Sequence, residues 1–191
     1  TYNIKPVNGS CIGDAYDVVL TVNPEPVVST GLSTTVCSDV VGGITLATNG
    51  TSVSATSYNI VSITPSPAFS ATWIKGVSNA TTGSPKSATA IVNDVYTNLD
   101  NVFHTVTYNV IPLSSSGCTG NAQNIVLTVN PEPVLSAGLN AAVCSDGASG
   151  ITLATNGTSV AAGASGYTIN SITVASGLTP ASGNAVAGSG K

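Results

Sequence analysis

Charged residues and histidine are scarce in this chain, and their scarcity argues against several functions. Only 6% of the 191 residues are charged, four Lys and Arg stand against eight Asp and Glu, and Met is absent. So few basic groups cannot build the positive stripe that holds phosphates, so nucleic acid is not expected as a partner. No apolar run reaches membrane-spanning length. Neither an initiator Met nor a signal peptide is present, so we expect targeting segments to lie outside these residues.

Catalytic groups are scarce as well. His104 is the only histidine, and it begins an alternating run that continues through Val106 and Tyr108. A nucleophilic triad needs a base held by an acid beside a nucleophile, and no Gly-x-Ser-x-Gly motif supplies the nucleophile. We therefore predict that the chain is not an enzyme and has no catalytic residues. His104 is interpreted as a structural or solvent-facing residue.

A long internal repeat dominates the sequence. Val22–Val27 returns unchanged as Val129–Val134, a shift of 107 residues, and Gly43–Val53 returns as Gly150–Val160. Self-similarity at a fixed period indicates stacked modules. The predicted domains are residues 1–23, the final strand hairpin of a preceding repeat; residues 24–130, one complete repeat; and residues 131–191, the first part of the following repeat.

The residue pattern within a repeat predicts strands throughout. Apolar residues alternate with polar or β-branched ones, and Asn-Gly pairs mark turns. Short strands separated by turns over about a hundred residues are typical of an immunoglobulin-type β-sandwich. The predicted fold is therefore all-β, built of tandem immunoglobulin-like repeats. The predicted strands include Ile44 with Leu46, Tyr58 with Ile60, Tyr167 with Ile169, and a final hairpin of Tyr108–Leu113 and Asn124–Val129 around the turn Ser114–Gly120.

Each final strand runs directly into the sequence Asn-Pro-Glu-Pro. Two prolines around a glutamate favour an extended, stiff backbone and cannot pair as central strand residues. Such a linker sets modules end to end at a controlled angle, which predicts a semi-rigid rod. The linker residues are Asn23, Pro24, Glu25 and Pro26 in the first copy, and Asn130, Pro131, Glu132 and Pro133 in the second.

The run from Thr105 to Val134, followed by Val143–Asp146 and Gly150–Val160, resembles a known repeat family. It is similar to the PKD-like, immunoglobulin-like repeats of very long Bacteroidota cell-surface proteins, including the giant adhesins of gliding bacteria. The resemblance implies export, tandem display on the bacterial cell surface, and a part in adhesion or filament formation. It supplies no shared catalytic residues and no common ligand.

Three functions follow as alternatives. The favoured one is a structural repeat of a long extracellular filament or adhesin, whose partners are neighbouring repeats of the same polypeptide and, at a distance, surface glycans or other cells. The second is a subunit of a non-covalent filament, in which identical chains assemble by β-strand complementation. The third is a carbohydrate-binding accessory module of a secreted enzyme.

The cysteines occur two per repeat, which favours disulfides and an oxidising compartment. Cys37 and Cys144 lie early in a repeat, and Cys11 and Cys118 lie in the hairpin turn. Three connectivities fit the repeat: Cys37 with Cys118; Cys11 with Cys37 and Cys118 with Cys144; or each early cysteine with the hairpin turn of the next repeat. The third is favoured because a simple sandwich puts the first turn and the hairpin turn at opposite ends, whereas linked Cα atoms lie within about 7 Å.

No metal site and no cofactor are predicted, and calcium is the small ligand that the oxygen donors would suit best. Asp94, Asp100 and Asp39 are the candidate ligands for it. Hard cations need several clustered carboxylates, and the sequence lacks an Asp-x-Asp-x-Asp run. The favoured interpretation is that Asp94 and Asp100 flank a strand and serve turns.

The segment around the single tryptophan, Trp73, differs between copies, and variable loops on a fixed scaffold often carry binding. Residues 65–90 are therefore a candidate contact surface, with Trp73, Lys75 and Asn79 as its named members. A lone tryptophan is either a platform for stacking sugars or a part of the core, and the core is favoured because buried aromatics dominate small β-cores.

Overall fold

The computed structural model describes residues 1–157, 164–180 and 183–190. None of these residues is helical, and the predicted all-β class is confirmed. The part of the repeated run Gly150–Val160 that follows Gly157, and the terminal Lys191, lie outside the described residues. The strands are β1 (Tyr2–Ile4), β2 (Val7–Asn8), β3 (Cys11–Ile12), β4 (Tyr16–Val18), β5 (Thr34–Cys37), β6 (Ala55–Ser66), β7 (Trp73–Lys75), β8 (Gly83–Lys86), β9 (Tyr96–Asn98), β10 (His104–Ser114) and β11 (Gln123–Asn130).

A five-stranded sheet in the order β5-β11-β10-β6-β8 forms one layer of the complete repeat. The predicted final hairpin is confirmed as β10 and β11, which pair antiparallel. β5 pairs with β11 in parallel. Every second residue of β10, from His104 to Ser114, is buried. This alternation follows because successive side chains of a strand point to opposite faces of the sheet.

The opposite layer is built from less regular backbone. The segment 39–49 lies between residues 27–29 and 88–96, with Ser29 N donating to Ala47 O at 2.9 Å and Leu46 N donating to Ala88 O at 2.8 Å. The strand predicted at Ile44 and Leu46 is extended but is not a regular strand, because it makes only scattered backbone hydrogen bonds with its two neighbours. The two layers together are consistent with a β-sandwich.

The hydrophobic core lies entirely inside the complete repeat. Among the described residues, every buried side chain falls between Pro26 and Val129. The core side chains from the two layers pack against each other, which removes them from water and supplies the main stabilising term. They are Val28, Ile44, Leu46, Tyr58, Ile60, Trp73, Ile91, Tyr96, Val106, Tyr108, Val110, Ile125, Leu127 and Val129.

The flanking residues reproduce the repeat locally but have no core. β1 and β4 pair with Tyr2 opposite Val18, in the same way that β10 and β11 pair with Tyr108 opposite Ile125. Tyr2 is nevertheless 58% exposed, whereas Tyr108 is 0% exposed. Among the residues that the structure describes, none forms a second layer over the β1–β4 hairpin.

The third copy shows the same contrast. Its predicted strand at Tyr167 and Ile169 is reduced to an isolated bridge between Ile169 and Gly188. The equivalent strand of the complete repeat, β6, is held by β10, and this sequence contains no counterpart of β10 after residue 131. Without that neighbour the segment cannot complete a ladder.

Local backbone at the start of the third copy nonetheless matches that of the complete repeat. The bridge between Leu135 and Thr155 corresponds to the bridge between Val28 and Thr48. Asp39 and Asp146, which are equivalent positions, share a positive φ of 62° and 66°. The same local sequence therefore adopts the same local structure in both copies.

We expect residues 23–133 alone to unfold in urea with the midpoint and slope that the full chain shows, because the flanking residues contribute no buried side chain. Trp73 is the only tryptophan and is 0% exposed, so its fluorescence reports on the core. A lower midpoint or a non-cooperative transition in the fragment would contradict the autonomy of this unit.

Candidate functional site

The candidate contact surface at residues 65–90 is exposed along much of its length, for example at Val77, but two of its three named members are buried. Trp73 lies in the core, as the favoured interpretation predicts, and its indole Nε1 donates to Pro67 O at 3.1 Å. A buried ring cannot stack on a sugar, so the alternative of a stacking platform is wrong. Lys75 is half-buried and its Nζ donates to Ala80 O at 3.2 Å.

Asn79, the third member of that predicted surface, is also buried. Its side chain holds the backbone of Val95 at two points: Nδ2 donates to Val95 O at 2.6 Å and Oδ1 accepts from Val95 N at 2.8 Å. The amide therefore substitutes for a missing strand partner. Asn79 therefore has a structural role, and a contact surface formed by the exposed part of residues 65–90 stays a prediction.

Asp94 lies in a buried network of phenols. Its Oδ2 accepts from the Tyr108 hydroxyl at 2.7 Å, its Oδ1 accepts from Ala80 N at 2.7 Å, and the Tyr108 and Tyr96 hydroxyls are 3.0 Å apart. Burial raises the pKa of Asp94, and the Tyr108 hydrogen bond opposes that rise. Burial also raises the pKa of Tyr96 to about 12. The pKa of Tyr108 is raised too, first by burial and then by the neighbouring Tyr96.

Asp100 and Asp39 take part in separate contacts. Asp100 Oδ2 lies 2.6 Å from Nε2 of the buried His104, and this hydrogen bond lowers the pKa of Asp100. Asp39 Oδ1 accepts from Thr97 Oγ1 at 2.5 Å. The three carboxylates predicted as calcium ligands thus serve three different networks. Among the described residues, no three His, Cys, Asp or Glu side chains converge as a metal site would require.

The best organised polar cluster lies where the chain leaves the repeat. We call it the first-turn end, formed by Ser38, Asp39, Asn98 and Glu132. Asn98 is 0% exposed, and each of its polar groups is paired. Its Nδ2 donates to Val129 O and to Val102 O, both at 2.9 Å. Its backbone N donates to Ser38 Oγ at 2.9 Å, and its carbonyl accepts from Glu132 N at 3.0 Å.

Glu132, the linker glutamate, is fixed at this end by its side chain as well. Ser38 Oγ donates to Glu132 Oε2 at 3.2 Å. Burial raises the pKa of Glu132, and the adjacent Asp39 carboxyl raises it further. The second linker is therefore docked on the repeat that precedes it.

The first linker docks at the opposite end, which we call the hairpin end, formed by Pro26, Pro112, Cys118 and Gly120. Pro26 is buried. A Cβ atom at Gly120 would collide with the carbonyl oxygen of Pro26 and would lie 2.9 Å from Pro112 Cγ. Only glycine allows the linker backbone to approach the hairpin so closely. Cys118 Sγ lies 3.9 Å from Asn23 O on the same linker.

All four cysteines lie in the described part of the chain, and each is a free thiol. Two of the three predicted connectivities, Cys37 with Cys118, and Cys11 with Cys37 plus Cys118 with Cys144, are therefore not formed. The first is also opposed by the fold, because Cys37 lies beside Asn130 at one end of β11 and Cys118 precedes the other end. The pairing across neighbouring repeats stays a prediction.

Sequence reasoning missed three residues of these ends: Ser38, Asn98 and Gly120. Ser38 and Asn98 act on residues 60 or 94 positions away, and no periodicity reports such contacts. Gly120 did carry a signal, since Gly13 holds the same place in the preceding hairpin. Gly13 N donates to Pro6 O at 2.9 Å, and Gly120 N donates to Pro112 O at 2.9 Å.

We expect Asn98→Asp to lower the free energy of unfolding by about 3 kcal/mol, because a carboxylate oxygen would face two carbonyl oxygens that now accept hydrogen bonds. The matched control is Asn124→Asp, at an exposed amide that pairs with Asn109, with an expected change within about 0.5 kcal/mol. Urea unfolding followed by Trp73 fluorescence measures both, and equal losses would contradict the role of Asn98.

The raised pKa of Asp94 predicts a pH-dependent stability. A carboxyl with a raised folded pKa holds its proton more tightly in the folded state, so its contribution to stability is lost as pH rises above its usual value of 3.8. Asn cannot ionise, so we expect the free energy of unfolding of Asp94→Asn to rise relative to that of the wild type as pH increases through the titration of Asp94. The expected difference grows by about 1 kcal/mol per pH unit in that range. The exposed Asp14→Asn is the charge-matched control, and parallel pH profiles for all three proteins would refute the prediction.

Comparisons with known proteins bear on the complete repeat. The described residues contain no helix with the length and hydrophobicity to cross a membrane. Neither the curated proteins nor the solved structures give a match. The profile of the PKD-like domain matches residues 34–133, which is 100 of the 191 residues and extends from β5 to the second linker. PKD-like domains are structural or adhesion-type modules, generally non-catalytic and often extracellular. The chain belongs to the PKD-like domain family.

Proposed function

We propose that this chain is a structural repeat of a long extracellular cell-surface filament or adhesin, and that it acts as a semi-rigid stalk. The observation that carries the proposal is that both linkers of the complete repeat are docked on its surface. Pro26 is held at the hairpin end, and Glu132 is held at the first-turn end.

The docking leaves little free chain between repeats. Asn130 still pairs with Cys37 at the end of β11, and Glu132 N is bonded to Asn98 O. Pro133 corresponds to Pro26, which is held by the hairpin of its own repeat. The same four-residue linker is thus bound by the repeat before it and by the repeat after it. A linker held on both sides cannot act as a flexible tether.

The two docking sites lie at opposite ends of the long sheet, so successive repeats extend the structure in one direction. Scarce charge suits a surface built of Ser, Thr, Asn and Gly. Three parts of the proposal rest on the family resemblance. They are the location on a bacterial cell surface, the relation to Bacteroidota adhesins, and any contact with surface glycans or other cells. The proposed stiffness rests on the contacts that hold the two linkers at the ends of the repeat.

A second candidate, assembly of identical chains by strand complementation, is favoured by the two flanking copies. The β1–β4 hairpin exposes Tyr2 and Val18, whose equivalents Tyr108 and Ile125 are core residues. The third copy exposes Ile151, whose equivalent Ile44 is buried. Each flanking copy thus exposes apolar residues that the flanking copy of another chain could cover. Neighbouring repeats of one longer polypeptide would cover the same residues. The carbohydrate-binding alternative loses its platform because Trp73 is buried.

Small-angle X-ray scattering on tandem arrays of residues 24–130, joined directly so that each Asn130 precedes Pro24, tests the stalk. We expect the maximum dimension to grow by a constant increment with each added repeat. Gly120→Ala forces the linker away from the hairpin, so the same array is expected to become more compact on average and more heterogeneous. Gly50→Ala is the matched control, since a Cβ at Gly50 meets nothing within 4 Å. Flexible-chain scattering from the unmodified array would refute the proposal.

A further inference from the structure

We propose that neighbouring repeats are joined covalently, by a disulfide between Cys37 of one repeat and the hairpin cysteine of the following repeat, the equivalent of Cys118. The inference rests on the tandem arrangement of the proposed function. The proposal places one disulfide at each junction between repeats. It follows from the contacts of the linker asparagine, which is Asn23 at the hairpin end and Asn130 at the first-turn end of the complete repeat.

The first contact lies at the hairpin end. Cys118 Sγ is 3.9 Å from the carbonyl oxygen of Asn23, the first residue of the linker that enters the repeat. Cys118 is partly exposed. A hairpin cysteine is therefore placed directly against the linker that connects its repeat to the preceding one.

The second contact lies at the first-turn end. Asn130, the first residue of the linker that leaves the repeat, is the strand partner of Cys37. Its carbonyl oxygen accepts from Ser38 N at 3.0 Å. Cys37 is exposed. The early cysteine is thus placed against the linker that connects its repeat to the following one.

Asn23 and Asn130 are the same residue of an identical linker, so in a continuous array both contacts meet at one carbonyl. Ser38 N lies about 2.4 Å from Cys37 Cα, across one peptide bond. The hairpin sulfur of the following repeat can then be no more than about 9 Å from Cys37 Cα, and any bend in this path shortens the distance. Rotation of the exposed Cys37 side chain and of the partly exposed hairpin cysteine then brings the sulfurs into the range of a disulfide.

Contacts seen in one copy are expected to form in the next copy as well, because the local structure of the copies matches. The linker continues into the same bridge in both copies, Val28 with Thr48 and Leu135 with Thr155. The hairpin turns of Cys11 and Cys118 are closed by equivalent backbone hydrogen bonds. In this sequence each cysteine occurs without its proposed partner, which would lie in repeat segments that the sequence does not contain.

The alternative pairs are opposed by distance. Cys37 and Cys118 of one repeat are separated by the length of β11, about 23 Å for seven residue steps. Pairing Cys118 with the early cysteine of the next repeat would require the two to meet across the length of two repeats. Cys118 lies where its own repeat begins, and the early cysteine lies where the next repeat ends. Only the proposed pair shares a junction.

The chemistry is thiol–disulfide exchange with a low-molecular-weight or protein disulfide as the oxidant. One thiolate attacks the oxidant and forms a mixed disulfide, and the second thiolate displaces the remaining thiol. The two cysteines lose two protons and two electrons, and the oxidant is reduced to two thiols. Oxidants of this class belong to the extracytoplasmic setting of the proposed function.

The test uses residues 23–130 followed directly by residues 24–133, a join that reproduces the natural linker. The staple variant keeps Cys37 of the first copy and Cys118 of the second, with Cys118→Ser and Cys37→Ser at the other two positions. The control variant keeps the opposite pair, Cys118 of the first copy and Cys37 of the second. Both are incubated with glutathione disulfide, and disulfide formation is followed by intact mass and by free-thiol titration.

The staple variant is expected to form its intramolecular disulfide at least about tenfold faster when folded than in urea. The control variant is expected to show the reverse, because its cysteines are closer in sequence and close a shorter loop only when unfolded. Trp73 fluorescence verifies that both variants fold. The 191-residue chain is expected to form neither Cys11–Cys37 nor Cys118–Cys144 under the same conditions.

Failure of the folded staple variant to close, or equal closure of both folded variants, would overturn the proposal. Closure of either intrachain pair in the 191-residue chain would also overturn it. Scattering from the same reduced protein separates the two levels of inference: an extended, rigid pair that does not oxidise refutes the disulfide alone, whereas a flexible pair refutes the stalk as well.

Discussion

The amide of Asn98 is the interaction on which the organisation of this repeat depends. Asn98 lies at the end of β9, where the following loop, β11, the first turn and the outgoing linker meet. Its side-chain amide bonds to the loop and to β11, and its backbone N and carbonyl bond to the first turn and to the linker. A buried amide is costly unless each of its polar groups finds a partner. The side-chain amide is satisfied by the loop and β11, and the backbone groups of Asn98 are satisfied by the first turn and the linker. All four segments must therefore be in place to pair every polar group of this residue. The same residue therefore closes the core and fixes the backbone of Glu132 where the chain leaves β11.

The Asp94 network fixes the second layer by related means. Asp94 lies in the opposite layer, within the segment 88–96, and its carboxylate accepts from Tyr108 of the main sheet, so it ties the two layers together. The same carboxylate also accepts from the backbone N of Ala80. Asn79 adds two further bonds to Val95 next to it. Regular strands are few in this layer, and buried side-chain hydrogen bonds supply the specificity that a ladder would otherwise give. Burial disfavours the ionised carboxylate, and the raised pKa of Asp94 reflects this loss of solvation free energy.

The extent to which the sequence predicts the structure depends on the range of the interactions. The alternation of Val106, Tyr108 and Val110 predicts β10 correctly, because a strand with one buried face requires an apolar residue at every second position. The irregular segment at Ile44 and Leu46 was predicted as a strand, since its apolar pattern is the same whether or not a ladder forms. Trp73 was assigned to the core on residue type alone. The roles of Ser38 and Asn98 depend on the meeting of distant segments, which neither composition nor spacing encodes.

The placement of the two linkers also determines how tension would pass through a repeat. The incoming linker is held at the hairpin end, and the outgoing linker leaves from the far end of β11. β5, near the start of the repeat, and β11, at its finish, run parallel and are hydrogen-bonded to each other. Tension on the two linkers would pull these strands in opposite directions along their length. The ladder hydrogen bonds would then bear the load together instead of opening one after another. A module that transmits tension along its paired strands is suited to a stalk, and resistance to such loading is set by the rate of unfolding and not by equilibrium stability alone.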